Sequence, residues 1–240
     1  MEKRQELYKG KAKTVYATDN PHRLIMHYRD DVSAFDGVKL AKLELKGETN
    51  NKINAFVMGK LAAAGVLTHF VELLNERESL VKAMKMLPVE CVVRNVCAGS
   101  MAKRYGIAEG TRLAEPIFEF FLKSDALHDP LVNEEHIRVL GWATAAEIDA
   151  MKLISHRVNA LLKPLFADAG IDLVDYKLEF GHPTDDPQGP VMLGDEFTPD
   201  GCRLWDAKTS EKLDKDRFRR DLGQVIEHYR EVAKRIGVPL

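Results

Sequence analysis

Residues 174–181 read VDYKLEFG, and LGDEF follows at residues 193–197 after a turn rich in proline, aspartate and glycine. Successive side chains of a strand point to opposite faces of its sheet, so Asp175, Lys177 and Glu179 share one face while apolar residues share the other. A face that alternates acid, base and acid on a central strand is costly unless it lines a polar site. The stretch therefore predicts a central strand of a mixed α+β fold, with the LGDEF strand as its neighbour.

The polar face of this predicted strand suits the binding of a metal–nucleotide complex. Asp195 comes just after the neighbouring strand, so each of two adjacent strands brings a carboxylate next to Lys177. Mg²⁺ prefers hard oxygen ligands, and a lysine neutralises phosphate oxygens. We therefore expect an Mg²⁺–ATP site here, with Asp195 as the first choice of metal ligand. An exposed polar sheet face is the alternative interpretation.

Hydrophobic periodicity predicts the elements around this strand. Alternation at period two, interrupted by glycine, asparagine and proline, predicts antiparallel strands, and apolar residues three and four apart predict helices. Thr144 followed by Glu147 matches a capping box at the start of the clearest helix. The predicted strands cover residues 6–8, 14–16, 23–28, 80–85, 88–95, 171–180 and 191–193, and the predicted helices cover residues 50–64, 144–169 and 214–236.

These elements predict an α+β fold with two lobes. The strands at residues 80–85 and 88–95 are expected to flank a short turn, and the Leu87-Pro88 junction is expected to act as a hinge. The first lobe, residues 1–86, is predicted to be rich in β-strands and to carry a phosphate-binding hairpin. The second lobe, residues 87–240, is predicted to be α+β and to carry the substrate and metal site.

The composition excludes several classes of protein. The 240 residues are 45% hydrophobic and 30% charged, with a net charge of −2, so the chain lacks the basic field of nucleic-acid-binding proteins. The charged N-terminus argues against a secretory signal, and no apolar run reaches the roughly 20 residues of a membrane span. Three cysteines without a CxxC pair favour a reduced, cytoplasmic environment.

The segment YKGKAKTVY, residues 8–16, places a glycine between two predicted strands. A glycine lets the backbone approach a phosphate, and Lys9, Lys11 and Lys13 can neutralise its oxygens. The segment is not a Walker A loop, because GxxxxGK[ST] before a helix is absent. A solvated, lysine-rich hairpin is the alternative interpretation.

Two further stretches carry candidate ligands for an anion. RDDVSAFDG, residues 29–37, is either an ordinary acidic turn or a more specific loop. LPVECVVRNVCAGS, residues 87–100, projects Arg94 from an apolar strand, where an unpaired charge is costly and a carboxylate or phosphate partner is needed. Gly99 and Ser100 can present backbone amides and a hydroxyl to the same anion, although a structural ion pair of Arg94 is the alternative. Further candidates near anionic ligands are Lys123, Asp125, Asp129, Asp200, Arg203, Lys215 and Arg219.

At these residues the chain resembles the SAICAR synthetase family over essentially its full length. Two blocks are particularly specific: P-V-E-x-V-V-R followed by A-G-S, and V-D-x-K-L-E-F-G. The resemblance implies that ATP, L-aspartate and carboxyaminoimidazole ribonucleotide (CAIR) give the succinocarboxamide product (SAICAR), ADP and phosphate. It also implies antiparallel sheets with flanking helices, an ATP cleft between the two lobes, and a homodimer or another small homo-oligomer.

The resemblance also implies a role for each matching residue. The expected ATP-binding residues are Gly10, Lys11, Ala12, Lys13, Val15, Glu90, Val92, Lys177, Glu179 and Asp195, with Glu90 and Val92 at the adenine and Glu179 at the ribose. The expected substrate-binding residues are Ser33, Asp36, Arg94, Ser100, Lys123, Asp129, Asp200, Arg203, Lys215 and Arg219. Lys13, Lys177 and Asp195 are expected to be catalytic, and Mg²⁺ is expected at Asp195 with Asp175 or Asp129.

Two other functions stay open on the residues alone. A kinase would use the same Mg²⁺–ATP apparatus to phosphorylate a hydroxyl group, and a non-catalytic module would only bind the nucleotide. Arg94, Ser100 and Arg203 favour the ligase, because they suit an anionic cosubstrate. We expect small-molecule substrates, and neither a nucleic-acid nor a membrane partner.

Overall fold

The computed structural model describes residues 1–35 and 37–240. It contains antiparallel sheets and helices in mixed order, which confirms the predicted α+β class. The strands in chain order are β1 (Lys3–Lys9), β2 (Lys13–Thr18), β3 (Arg23–Tyr28), β4 (Asp31–Ala34), β5 (Lys39–Lys42), β6 (Phe70–Asn75), β7 (Glu78–Lys82), β8 (Met84–Val96), β9 (Arg112–Leu122), β10 (Leu131–Val132), β11 (Ile171–Pro183), β12 (Met192–Gly194) and β13 (Cys202–Asp206). The helices are α1 (Lys46–Ala63), α2 (Gly99–Tyr105), α3 (Glu134–Val139), α4 (Ala145–Asp168), α5 (Asp216–Arg219) and α6 (Val225–Arg235).

The strands form two large sheets and one small one. The first sheet has the order β1-β2-β3-β7-β6, and the second has the order β10-β9-β8-β11-β12, with β13 also paired to β11. Strands β4 and β5 form a separate antiparallel pair. The first sheet ends at Lys82 and the second begins at Met84, whereas the division into lobes at residues 86 and 87 stays a prediction.

Strand β11 is the centre of the second sheet, as its sequence predicts. It pairs with β8 on one side and with β12 and β13 on the other. Tyr176, Leu178 and Phe180 are buried in the main hydrophobic core, which α4 also contributes to. The opposite face therefore carries the polar residues, and the predicted alternation is confirmed.

Helix α1 contributes to the same core and begins four residues earlier than predicted. Ile53, Val57 and Leu61 lie in the core with residues of β8, while the first turns are polar and buried. Gly47 lies so close to the backbone of Tyr28 that a Cβ there would clash with it. This contact fixes the start of α1 against the end of β3, and apolar periodicity gives no sign of it.

The long helix α4 matches its prediction at both ends. Thr144 accepts a hydrogen bond from the Glu147 amide at 3.3 Å, and the Glu147 carboxylate accepts from the Thr144 amide at 2.6 Å. These reciprocal bonds complete the predicted capping box. No helix within the described residues is both long and apolar enough to cross a membrane.

The turn predicted between residues 85 and 88 is wrong. Strand β8 continues through Pro88, and β7 pairs with β3 and β6 instead of β8. In the pairing of β8 with β11, Glu90 lies opposite Glu179 and Met86 lies opposite Gly181. Four residues of β8 thus span the same distance as two residues of β11, so Pro88 lies in a bulge. A proline has no N–H to donate, and a bulge is where a strand tolerates one.

The single closing helix predicted for residues 214–236 is also wrong. The structure has α5 and α6 there, separated by residues 220–224. Asp221, Gly223 and Gln224 have φ angles of 56°, 69° and 51°, which a right-handed helix cannot contain. The apolar periodicity continues on both sides of this break, and so the break was missed.

Candidate active site

The polar face of β11 carries the first part of the site. The Lys177 ammonium lies 2.5 Å from the Glu90 carboxylate of β8, and Lys123 forms an ion pair with Glu179. Lys177 lies on β11 and Lys123 directly follows β9, and the two lysines meet two carboxylates on one side of the sheet. Val92 lies opposite Lys177 in the β8–β11 register, so it shares this face of the sheet, where it is buried.

Asp195 follows β12 directly and faces the first sheet. Its φ of 53° lies in the left-handed region, and its carboxylate forms an ion pair with Lys13 of β2. The Glu196 carboxylate lies 3.2 Å from the same ammonium. Burial acts to raise the pKa of Asp195, but the Lys13 ammonium outweighs it and holds that pKa below its usual value. Burial acts to lower the pKa of Lys13. The charges of Asp195 and Glu196 outweigh this effect, so the pKa of Lys13 is raised well above its usual value.

Glu179 behaves differently from Asp195, although Gly194 just before Asp195 is its register partner. Burial and the charge of Asp195 raise the pKa of Glu179 to about 7. Two carboxylates that raise each other's energy in this way form a site that a cation stabilises. The described residues bring no three histidine, cysteine, aspartate or glutamate side chains together as a metal cage. A two-carboxylate site fits Mg²⁺, which commonly completes its shell with phosphate oxygens and water.

The lysine hairpin between β1 and β2 lies next to this carboxylate pair. The Gly10 amide donates to the Lys13 carbonyl at 2.9 Å, which closes the turn. Arg29 donates to the Gly10 carbonyl at 2.7 Å, and its own amide donates to the Ala12 carbonyl at 2.8 Å. The hairpin is therefore held from behind by Arg29.

Two contacts from the hairpin reach the second sheet. Lys11 lies 2.9 Å from Asp125 in the short 3-10 helix after β9, while Lys13 reaches Asp195. Val15 continues β2 beyond Lys13 and is half-buried. The structure thus brings the predicted nucleotide residues of both sheets to the same place.

His69 is a neighbour of Asp195 that the sequence did not single out. It lies just before β6 and is 4% exposed. Burial lowers the pKa of His69 to about 4, although the carboxylate charge and the backbone of Asp195 act to raise it. Glu196 was missed in the same way, despite its position next to Asp195 in LGDEF. An isolated histidine or glutamate carries no periodic signal from which its partner can be predicted.

A second cluster lies at the other end of the β11 face. Arg94 donates to Glu119 at 2.6 Å, to Asp175 at 2.9 Å and to the Ser100 hydroxyl at 3.2 Å. It is 3% exposed, so all three partners are needed to compensate its burial. The arginine thus has the structural ion pair that was one of the two interpretations of its sequence.

Arg203 shares the Asp175 carboxylate with Arg94. It donates to Asp175 at 2.8 Å and to Asp216 at 3.0 Å, and these carboxylates raise its pKa against the effect of burial. Gly99 has a φ of 57° and lies so close to the guanidinium that a Cβ would clash with it. Arg219 also donates to Asp216, at 2.6 Å. The predicted arginines and the glycine of the AGS block are therefore neighbours.

Asp200 is the centre of a third group. Its carboxylate accepts from Asn50 at 2.9 Å and from the Tyr229 hydroxyl at 2.8 Å, and it forms an ion pair with buried Lys46. Burial acts to raise the pKa of Asp200. The charges of Lys46 and Lys215 outweigh burial and lower this pKa to about 2. Burial also lowers the pKa of Lys215. The group ties α1 and α6 to the loop that follows Asp195.

The remaining predicted residues lie in loops or in the small sheet. Asp129 has a φ of 46°, and its carboxylate accepts from the Ser124 amide at 2.8 Å, so it holds the loop after β9. Ser33 is buried in β4. The predicted substrate contact at Asp36 lies outside the described residues.

All three residues predicted as metal ligands have protein partners, and those of Asp175 and Asp129 hold them away from Asp195. Asp175 precedes Glu179 by four residues on β11, or about 13 Å along a strand, and two guanidinium groups neutralise its carboxylate. The Asp129 carboxylate accepts a hydrogen bond from the Ser124 amide of its own loop. Metal ligation by Asp175 or Asp129 stays a prediction that these contacts do not favour, whereas Glu179 is the carboxylate whose charge interacts with Asp195.

Comparisons with known proteins agree with this arrangement. Residues 6–236 match the family model described as SAICAR synthetase. The chain is 63% identical to the phosphoribosylaminoimidazole-succinocarboxamide synthase of Idiomarina loihiensis, with all of both chains covered. It is 61% identical to the synthase of the same name from Nitrosococcus oceani, with 99% of this chain and 98% of the relative covered.

Solved structures show the same likeness. The crystal structure of the synthase from Ehrlichia chaffeensis matches with a TM-score of 0.96 and 47% identity, covering 98% of this chain and all of that one. A SAICAR synthetase in complex with ADP matches with a TM-score of 0.93 and 43% identity, again covering 98% of this chain and all of that one. The chain therefore belongs to the SAICAR synthetase family, whose members condense CAIR with aspartate in an ATP-dependent step of purine biosynthesis.

Proposed function

We propose that this chain joins CAIR to L-aspartate in two steps along the polar face of β11. The observation that carries the proposal is the spacing of the two clusters on one strand. The carboxylate pair of Glu179 and Asp195 lies at one end, the arginines on Asp175 lie at the other, and Lys177 lies between them. A phosphoryl group bound at the first cluster would thus be directed at an anionic substrate held by the second.

The chemistry requires activation of a carboxylate, because oxide is not a viable leaving group. In the first step a CAIR carboxylate oxygen attacks the γ-phosphorus of ATP, which forms an acyl phosphate and releases ADP. In the second step the aspartate amine attacks the acyl carbon, inorganic phosphate leaves, and the nitrogen loses its proton. Lys177 would stabilise the negative charge on the phosphoryl group during transfer.

Asp195 and Glu179 are the residues that we propose to hold Mg²⁺, and for Glu179 this role replaces the ribose contact that the resemblance implied. Their mutual repulsion and their position beside the lysine hairpin support this assignment. When bound, the metal ion would neutralise charge on the β- and γ-phosphates. Lys11, Lys13 and the backbone around Gly10 would bind the same phosphates, with Ala12 and Val15 beside the nucleotide. Glu90 and Val92 would meet the adenine through the backbone of β8.

The arginine cluster is the proposed site for the phosphate and carboxylate of CAIR. Arg203 uses Nε and Nη1 on carboxylates, which leaves its Nη2 as a donor beside Gly99. Ser100 is exposed next to it and offers a hydroxyl group. Because the carboxylates fix both guanidinium planes, the arginines would bind the anion without having to be ordered first.

The group around Asp200 is the proposed site for the second substrate. Lys215 and Arg219 would bind the carboxylates of L-aspartate, and Asp200 would contribute through its fixed charge. Ser33, Asp36, Lys123 and Asp129 complete the proposed substrate contacts from the surrounding loops. Substitution of Lys215 by methionine would raise the KM for aspartate much more than the KM for CAIR.

A kinase is the function that must be distinguished from this ligase. Both would release ADP from Mg²⁺–ATP, but only the ligase needs an amine as well as a carboxylate for full turnover. We expect sustained ADP release only when CAIR and L-aspartate are both present, with SAICAR formed in equal amount. Sustained ADP release with CAIR alone, or with a hydroxyl compound in place of CAIR, would contradict the proposal.

We further propose that the protein works in the cytoplasm as a homodimer or another small homo-oligomer. Three cysteines without a CxxC pair, as expected of a reduced compartment, support the first part. Closed symmetric assemblies are the usual form of soluble homo-oligomers, which supports the second. Sedimentation velocity at micromolar concentration would give a single species of two or more chains, and a monomer would contradict it.

A further inference from the structure

The segment at residues 67–69 connects the two large sheets through its backbone. The Leu193 amide donates to the Leu67 carbonyl at 2.9 Å, and the His69 amide donates to the Leu193 carbonyl at 2.8 Å. On its other side, the Lys82 amide donates to the His69 carbonyl at 2.8 Å. The segment thus runs beside β12, with Thr68 in a parallel bridge to Leu193, and leads directly into β6 of the first sheet.

The side chain of His69 lies in this junction, next to the residue that ends β12. It is 4% exposed and interacts with the backbone of Asp195. Its Nε2 has no hydrogen-bond partner among the residues that the structure describes. A buried histidine that only filled space would be replaced at no cost by an apolar residue, whereas this ring has a polar contact on one side.

The backbone of Asp195 is the feature that needs such a contact. A φ of 53° is strained for a residue other than glycine and persists only when neighbouring groups hold it. Gly194 just before it lies against the end of the flexible Met86 side chain, which can move, so this contact does not hold the turn in place. Lys13 of β2 pairs with the Asp195 carboxylate, and His69 is the neighbour that can hold the backbone of this turn.

We infer that His69 is a positioning residue for Asp195. Its ring holds the left-handed turn at the end of β12, so that the Asp195 carboxylate lies beside Glu179 and Lys13. Through this contact with Asp195, His69 determines how tightly the magnesium nucleotide binds. The inference rests on the proposed role of Asp195 as a metal ligand.

A matched pair of substitutions separates the hydrogen bond from the packing. Glutamine and methionine have nearly the same length and shape, but only glutamine has an N–H that can reach the Asp195 backbone. We therefore compare H69Q with H69M in the full-length protein. If H69M does not fold, H69L gives the same comparison, since leucine also fills the space without a donor.

The readout is nucleotide binding measured by calorimetry, with ADP in excess Mg²⁺ and with ADP in a chelator. We expect H69M to weaken binding of Mg²⁺–ADP by about tenfold, because loss of a group that orients a metal ligand typically lowers metal affinity by about 10- to 100-fold. Binding of metal-free ADP should stay unchanged. H69Q should stay within about threefold of the unchanged protein in both conditions. Equal weakening of ADP binding with and without Mg²⁺, equal behaviour of H69Q and H69M, or no change in either variant would each overturn the inference.

D195N distinguishes failure of this inference from failure of the proposed metal site. If D195N removes the gain in ADP affinity that Mg²⁺ gives while H69M keeps it, only the positioning role of His69 is wrong. If D195N keeps that gain, Asp195 is not the metal ligand, and both the proposed site and the inference on His69 fail together.

Discussion

The two ends of the β11 face contain similar numbers of charges but use them differently. Around Asp175 the carboxylates and Arg94 are buried, Arg203 is half-buried, and all are cross-paired, so each of these charges has a partner within the protein. Around Asp195 the lysines are paired with half-buried carboxylates, one of which has a pKa raised to about 7. This difference agrees with the proposed roles, in which the first cluster stays in place and the second exchanges its partners for a metal ion and phosphates.

The largest effect is expected from Asp195→Asn. Loss of a metal ligand should lower kcat by about 10³-fold, equivalent to about 4 kcal/mol of the activation free energy. The fold should be retained, because asparagine accepts the left-handed φ of this position more readily than most residues. Steady-state kinetics and thermal unfolding measure the two effects, with Asp168→Asn at the exposed end of α4 as the control. Near-normal turnover would remove Asp195 from the metal role.

Asp175→Asn should give the opposite pattern, with stability lost first. The substitution removes the carboxylate charge that Arg94 and Arg203 share, so the buried Arg94 and the half-buried Arg203 each lose one of their two carboxylate partners. We expect the free energy of unfolding to fall by about 3 kcal/mol in denaturant titrations. An exposed ion pair contributes less than about 1 kcal/mol. A loss in that range would show that the Asp175 cluster does not stabilise the fold, which contradicts the difference drawn between the two clusters.

Glu179 should make the binding of magnesium nucleotide depend on pH. Its pKa of about 7 lies above the usual value, so protons compete with Mg²⁺ for this carboxylate below pH 7 and cease to compete above it. Affinity for Mg²⁺–ADP should therefore fall about tenfold between pH 8 and pH 6. Glu179→Gln should bind more weakly and without this pH dependence, whereas Glu135→Gln on the exposed side of α3 should behave as the unchanged protein. A Glu179→Gln variant with the full pH dependence would assign the titration to another group.

Arg112→Ala is expected to have the smallest effect. Arg112 and Asp172 form an ion pair at 2.7 Å on the same sheet, but the arginine side chain is 69% exposed. The free energy of unfolding should change by less than about 1 kcal/mol, with unchanged kinetics. If denaturant titrations showed a larger loss of unfolding free energy, the difference in burial between the two ion pairs would not explain why Asp175→Asn is the more destabilising substitution.

The sequence predicted the local pattern of the site better than its partners. The alternation in VDYKLEFG gave the correct two faces of β11, and LGDEF gave the correct position of Asp195 after the adjacent strand. The partners of Arg94 could not be predicted, because Glu119 and Asp175 are 25 and 81 residues away. Those pairs are fixed by the register of β8 with its neighbours, which is a property of the sheet and not of either segment.

The errors in the fold have a similar cause. Proline was expected to end a strand before Pro88, but the bulge in β8 lets the chain continue. The break after α5 depends on three residues with positive φ, two of which are not glycine. In both places contacts with distant residues override the local preference of the chain. The capping box of α4, which involves only neighbouring residues, was predicted correctly.

The central claim is that a phosphoryl group passes from the Asp195 end of the β11 face to a carboxylate held at the arginine end. The direct test is turnover with CAIR labelled by oxygen-18 in both carboxylate oxygens, followed by mass spectrometry of the released phosphate and of SAICAR. The account predicts one labelled oxygen in each phosphate and one in the new amide carbonyl. Phosphate without label, formed at the same rate as SAICAR, would contradict it.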